Sequence, residues 1–481
     1  MYRKNQMSKY GIGQLIVVAL ASSLIACGGG SERTRPEATA STMDGSASAM
    51  SIDAASEIAA MDVESTESAQ PESLERVVST RNDTESQESL GDATDERAAV
   101  MAASSSNRLG GGVTGGGAAS TVHVTTAEDL RRALCSTVVG GVCKDETPRV
   151  ISVDATIDFK DTEGTGQING CYYSMLPNCS SRAKLGLFDP QDTHCNGVKQ
   201  FSFPYDKAGR DNLLVGSNKT LVGKAGGKAA IKGAGLAMKG GVHNIIVRNL
   251  TFGDINDGII FGGDAIILGN TKDIWIDHNR FAHVGRQMIV SGWEKDSSAQ
   301  NVTVSWNDFN GQTDFSPRCD GNHYWNFLLT GKDETFVFAY NVIQQFSGRA
   351  PAVHGRNQFV HLMSNYFKNG SYHALEPFAT SAIFMEGNFF DNVKIPILQN
   401  AGNRGAVYAP LQPPTEQMKA NCVSAIGRTC GRNAGAGSGT ADFTADSYAL
   451  NRAGQLRAIL PAPATGAASL PNLLPTNVGP K

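Results

Sequence analysis

Between Ile245 and Phe390 the chain repeats one pattern. A short stretch alternates apolar and polar residues, runs into an asparagine, and closes on an apolar or aromatic residue. The copies are Ile245–Asn249–Leu250, Ile274–Asn279–Phe281, Val302–Asn307–Phe309, Phe336–Asn341–Ile343, Val360–Asn365–Phe367 and Ile383–Asn388–Phe390. Successive asparagines lie 30, 28, 34, 24 and 23 positions apart. Period-two alternation predicts strands with one face toward a core and one outward. Between them there is little helical periodicity. A unit of this length, repeated with an equivalent asparagine each time, predicts a solenoid in which the asparagines stack from turn to turn. A propeller needs four strands per blade and a longer, more even period. The fold class is therefore all-β, a parallel β-helix. Upstream, Thr125 to Leu134 reads as a capped amphipathic helix with Glu128 and Asp129 in its first turn.

The ends of the chain read differently. Arg3, Lys4 and Lys9 precede an apolar run from Ile12 to Ile25 that is too short to span a bilayer. It ends Leu24-Ile25-Ala26-Cys27, which resembles a bacterial lipobox. Residues 1–27 are thus expected to be a lipoprotein signal peptide with lipidation at Cys27. The destination would be the outer membrane or cell surface, with plain secretion as the alternative. Residues 28–120 hold no aromatic residue, cysteine or histidine, and 16 acidic against 6 basic residues. That composition cannot offset its ordering entropy and predicts a disordered acidic linker, closed by the flexible glycines Gly110–Gly112 and Gly115–Gly117. Residues 121–481 form the expected β-helix domain. With 33 basic and 30 acidic residues it is nearly neutral, which argues against a nucleic-acid partner. Eight cysteines remain after Cys27: Cys135, Cys143, Cys171, Cys179, Cys195, Cys319, Cys422 and Cys430. An even number in an exported chain predicts disulfides, though eight cysteines allow 105 pairings. There is no CxxC, so zinc is not expected.

Gly263-Asp264-Ala265-Ile266, Trp275-Ile276-Asp277-His278, Gly285-Arg286-Gln287 and Ser347-Gly348-Arg349-Ala350-Pro351, in this order and spacing, resemble the pectate/pectin lyase family, and its pectin lyase branch in particular. The likeness runs from about Thr121 to Phe390; beyond Gln399 the tail is Gly-, Ala- and Pro-rich and matches weakly. The resemblance implies a right-handed parallel β-helix with an N-terminal capping helix. It also implies eliminative cleavage of α-1,4 linkages in methyl-esterified polygalacturonan. Such a site needs a base near the proton beside the C6 carbonyl, and positive charge where enolate charge develops.

By resemblance, Arg349 matches the proton-abstracting residue. Arg286 matches the arginine that pectin lyases carry where pectate lyases bind calcium, and Asp264 is its natural ion-pair partner. Where the calcium-binding branch keeps an Asp-Gly-x-x-Asp run, this chain reads Arg286-Gln287-Met288-Ile289-Val290, and position 262 is Gly262. No cofactor or metal is therefore expected. Asn322-His323-Tyr324-Trp325 resembles the family's His-Tyr-Trp run. It makes Trp325, Tyr324 and His323, with Phe261 as a weaker candidate, the expected substrate-binding residues. Asp277 and His278 lie away from the family's reaction centre and read as structural. Ala352 departs from the family, which often has lysine there. The cysteines at close spacing predict Cys135–Cys143 and Cys422–Cys430, and the family pattern implies Cys171–Cys195 and Cys179–Cys319. The expected partners are pectin and, through Cys27, a membrane; the protein is expected to be a monomer. Two other readings fit less well. A calcium-dependent pectate lyase needs a carboxylate cage, and a non-catalytic glycan-binding β-helix should lack the Arg286 and Arg349 pair.

Overall fold

A computed structural model describes residues 109–481, apart from 177–178, 180–184, 187–194, 293–296, 399–403, 411–414 and 440–444. The predicted alternation becomes strands that stack in parallel, rung upon rung. Ile245, Ile274, Val302, Phe336, Val360 and Ile383, the residues that open the sequence repeats, are direct register partners in one ten-stranded sheet. After the first, each strand of this sheet is followed by one in a fifteen-stranded sheet that has two limbs. In the first limb Phe252, Phe281, Phe309, Ile343, Phe367 and Phe390 are register partners. Ring centroids there are 5.3 Å apart for Phe252 and Phe281 and 4.8 Å for Phe281 and Phe309. In the second limb Leu236, Ile266, Ile289 and Phe327 align. The three inward columns form one buried core. The chain visits the ten-stranded sheet, the first limb and the second limb in turn, which makes a parallel β-helix. Tyr366–Pro377 is long enough to serve both limbs.

From the rung of Asn249 to that of Asn388, the corner between the ten-stranded sheet and the first limb holds two residues. The first has positive φ, from Asn249 at 60° through His278 at 53° and Trp306 at 55° to Ser364 at 52°. The second is the stacking asparagine. The Asn307 backbone N–H donates to Asn341 Oδ1 (3.0 Å), Asn341 to Asn365 (3.0 Å), Asn365 to Asn388 (2.9 Å) and Asn388 to Asn433 (3.0 Å). Each side-chain amide also donates to a carbonyl one rung back, Asn341 Nδ2 to Val304 O at 2.9 Å. Two details differ from the sequence reading. Leu250, not Asn249, occupies the ladder position and donates its N–H to Asn279 Oδ1 at 3.1 Å. Asn249 pairs instead with the chain's last residue, Lys481. At the far end the ladder gains Asn433, which the repeat did not reveal. Asn341→Ala would deprive the Val304 carbonyl and the Asn307 N–H of the buried partners that the Asn341 side chain supplies. The expected cost is about 3 kcal/mol or more, seen as a lowered Tm in thermal unfolding; a shift no larger than that of an exposed Asn→Ala control would show the ladder to be decorative.

The helix Ala127–Leu134 covers the first rung, buries Leu130, Ala133 and Leu134, and is capped by Thr126, whose side chain accepts from Asp129 N. The expected flexible joint is not seen where the structure describes it. Thr114 N and Gly115 N donate to Asn244 Oδ1 (2.8 and 2.9 Å), and Gly116 N to Thr220 Oγ1 (3.0 Å), so this segment lies along the ten-stranded sheet. A Cβ on Gly116 would collide with the Arg149 carbonyl. Glycine here permits close approach of two backbones rather than mobility. The expected signal peptide, Cys27 and most of the linker lie outside the described residues. The weakly matched tail folds into helices Glu416–Ile426, Ser447–Gln455 and Leu470–Asn477, whose apolar residues pack outside the ten-stranded sheet. Leu470, Leu474 and Leu109 cover Trp306 and Tyr340, whose rings stack at 4.6 Å. All four expected disulfides are present: Cys135–Cys143, Cys171–Cys195, Cys179–Cys319 and Cys422–Cys430.

Candidate active site

Asp264, Arg286 and Arg349 each stand two or three residues before a strand of the second limb, namely Ile266–Gly269, Ile289–Ser291 and Ala352–Val353. Parallel register therefore gathers on one edge residues far apart in sequence. The rung between Arg286 and Arg349 carries Tyr324 ahead of Phe327–Leu329.

Asp264 Oδ1 accepts the Gln287 N–H at 2.7 Å and lies 3.3 Å from Arg286 Nε. Arg286 is only 5% exposed, and its guanidinium lies 4.6 Å from the Phe261 ring centroid, a cation–π contact. Burial pushes the Arg286 guanidinium below its ordinary value, Asp264 pulls against that, and Arg349 adds further repulsion. The two arginines are thus close enough to feel each other. Arg349 has a positive φ of 47° and lays its guanidinium 5.4 Å from the Tyr324 ring centroid. Its Nε is buried without a hydrogen-bond partner among the described residues.

The expected sugar-binding aromatics are differently placed. Trp325 is 6% exposed and packs with Tyr173, Ile260, Tyr324 and the Cys171–Cys195 disulfide, so its faces are not open to a sugar. Tyr324 is likewise buried, between Arg349 and the His373 ring. His323 Nε2 lies 2.7 Å from the Arg286 carbonyl and 2.8 Å from that of Trp325. A ring nitrogen facing two carbonyls carries its proton, so His323 ties the Arg286 backbone to the loop. Its own burial pushes its pKa down, keeping it neutral. The His-Tyr-Trp run is therefore a wall that supports the arginines. Phe261 remains the partly exposed aromatic of the expected set. Asp277 ends a strand of the ten-stranded sheet and His278 opens the corner after it; Asp277 accepts from Ser305 Oγ at 2.7 Å and His278 stacks on Trp306. That matches their structural reading.

The sequence reading missed one cluster. His354 Nε2 and His373 Nε2 flank the Glu376 carboxylate at 3.5 and 3.4 Å, and the Arg349 N–H donates to His373 Nε2 at 3.4 Å. All three side chains are buried or nearly so.

The residues around Asp264 do not fit a calcium ion. Its carboxylate is already used by Arg286 and the Gln287 N–H, and Gly262 and Val290 bring no oxygen side chain. Val290 packs instead against Leu328, Ala352 and Ile267.

A parallel β-helix with two arginines and one paired carboxylate on a single edge defines a solenoid protein with a cationic site on its flank. The profile of the family described as "Pectate lyase" matches residues 196–408. The chain is 39% identical over 290 residues to a "Probable pectin lyase F" of Neosartorya fischeri, covering 60% of this chain and 73% of that protein. To a "Probable pectin lyase E" of Aspergillus fumigatus it is 41% identical over 265 residues, covering 54% of this chain and 67% of that protein. A solved pectate lyase from Xanthomonas campestris superposes with a TM-score of 0.46 at 17% identity, over 77% of this chain and 96% of that one. The chain belongs to the pectate/pectin lyase family, whose members are polysaccharide lyases.

Proposed function

We propose that the protein is a pectin lyase, cleaving methyl-esterified polygalacturonan by β-elimination. The carrying observation is the Arg286–Asp264 ion pair at the place where a calcium-dependent enzyme would need free carboxylates. The names of the relatives at 39% and 41% identity support the same substrate. In this reading Arg349, in its neutral form, takes the proton at C5, beside the C6 carbonyl. The electrons form the C4–C5 double bond, and the glycosidic oxygen leaves C4 and takes up a proton from water. Arg286 supplies fixed positive charge to the developing enolate, and Asp264 holds its guanidinium in place. A free carboxylate at C6 would resist this added charge. A methyl ester does not, so the fixed charge of Arg286 suffices without a metal.

Activity is read from the absorbance of unsaturated product, on highly methylated pectin and on polygalacturonate, each with and without chelator. Pectin should be the better substrate, and chelator should leave its rate nearly unchanged. A large chelator-induced loss restored by calcium would overturn the assignment.

The four disulfides fit an oxidising compartment outside the cytoplasm. Lipidation at Cys27, delivery to the outer membrane or cell surface, and action as a tethered monomer complete the proposal. Its support is the lipobox-like Leu24–Cys27 and the acidic stretch that follows. Mass spectrometry of the membrane-extracted protein tests it: an unmodified Cys27, or an N-terminus beyond it, would remove the anchor.

A further inference from the structure

Arg349 sits in a left-handed backbone conformation that a residue with a side chain adopts only at a cost, so neighbouring groups must hold it. Its carbonyl accepts from Phe327 N at 2.7 Å, and the next residue is tied by Ala350 N to Ala374 O at 2.9 Å. The Arg349 N–H has a side chain in place of a ladder carbonyl: it donates to His373 Nε2. That same nitrogen lies 3.4 Å from Glu376 Oε2. One nitrogen cannot serve both. With a lone pair, Nε2 accepts the Arg349 N–H and faces the carboxylate unfavourably. With a proton, it donates to Glu376 and turns the Arg349 N–H into an unsatisfied donor.

We propose that His373 is a positioning residue for Arg349, its Nε2 shared between the Arg349 N–H and the Glu376 carboxylate, so that protonation of His373 releases Arg349 from the geometry needed for turnover. The proposal rests on Arg349 being the catalytic residue of the lyase reading above.

The surroundings define the competition. His373 is fully buried and its Nδ1 has no hydrogen-bond partner among the described residues. From its own strand it meets Glu376 and the Tyr372 ring, at 4.7 Å. From the 349–354 segment it meets Arg349 and, through Glu376, His354. From the loop after Asn310 it meets the edge of Tyr324 at 5.8 Å, and Arg318 stands beyond, over Tyr372 at 4.3 Å. Burial opposes charge on Glu376, but the two imidazoles outweigh it and hold its carboxyl well below the usual carboxylate range. The competitor for His373 is therefore an anion. A proton on Nε2 turns the ring from Arg349 to Glu376, so activity should carry an acid limb that depends on both residues.

The test is kcat and KM against pH for the full-length protein and three variants, with Tm recorded for each. His373→Gln keeps an acceptor that cannot be protonated. It should retain kcat within about threefold at neutral pH and lose most of the acid-side fall. Glu376→Gln removes the anion that rewards protonation, so the acid-side midpoint should move to lower pH. His373→Phe removes the acceptor and should lower kcat about tenfold with little change in KM, the worth of one hydrogen bond. If His373→Phe does not fold, the other two decide. His373→Gln and Glu376→Gln profiles that coincide with wild type would overturn the proposal, as would a His373→Phe enzyme of normal kcat. The profiles are measured on whichever substrate the wild type cleaves. A wild type that prefers polygalacturonate with calcium therefore refutes the pectin reading without deciding the role of His373.

Discussion

Arg349→Ala should lower kcat on methylated pectin by about a thousandfold or more, the range lost when a catalytic base or a principal charge is deleted. Folding should survive. Alanine tolerates positive φ no worse than arginine, the backbone bonds from Phe327 N and Ala350 N are untouched, and no ion pair to Arg349 is lost among the described residues. Arg349→Lys should be nearly as inactive, since lysine offers a point charge in place of a planar fork. The measurement is initial rate of unsaturated product with Tm as the control. A folded variant that keeps more than about a tenth of the wild-type kcat would take Arg349 out of the reaction.

Arg286→Asp should be the most damaging change to the fold of the site. It removes the partner of the Asp264 carboxylate, which is itself largely buried. It also puts a second carboxylate beside it, so one of the two must take up a proton or the pocket must open. Breaking a buried pair in this way costs about 3–5 kcal/mol, and activity on pectin should fall at least a hundredfold as the cation near the enolate disappears. No calcium-dependent activity should replace it. Two carboxylates fall short of the six to eight oxygens calcium takes, and Val290 is committed to packing with Leu328 and Ala352. A calcium titration of the variant on polygalacturonate checks this. Robust cleavage there would show a latent metal site.

Much of this was legible in the sequence because it depends on period. Register pairs Ile274 with Val302 and Val302 with Phe336 in agreement with the repeats, and the Arg286–Asp264 pair follows from two motifs one rung apart. Other features depend on what packs from a distance. Asn249 adjoins Leu250, and either could have filled the ladder position; only the strand register chooses Leu250. Trp325 read as a sugar platform because an aromatic near such a site is commonly exposed. The cover that buries it comes from residues around 171–195, more than a hundred positions away and joined to its loop by the Cys179–Cys319 disulfide. The His373–Glu376 cluster carried no periodic signal. Residues three apart on a regular strand face opposite ways, and these meet on a strand that passes between two limbs and shifts register between Gly370 and His373.

The two-residue corner sets a rule for how this enzyme can diverge. An insertion there would throw one residue out of the left-handed position and break the asparagine column in the same stroke, so chain length is frozen along the rungs that carry the column, though not at 224–229, where the same edge passes outside it. The other two edges carry no such rule: the passage from the first limb to the second spans residues 311–326 in one rung and none in the rung of Tyr366–Pro377. Both arginines hang from that permissive edge. Natural variation and directed evolution can therefore lengthen, shorten or exchange the loops around the reaction centre while leaving the column that holds the solenoid together unaltered.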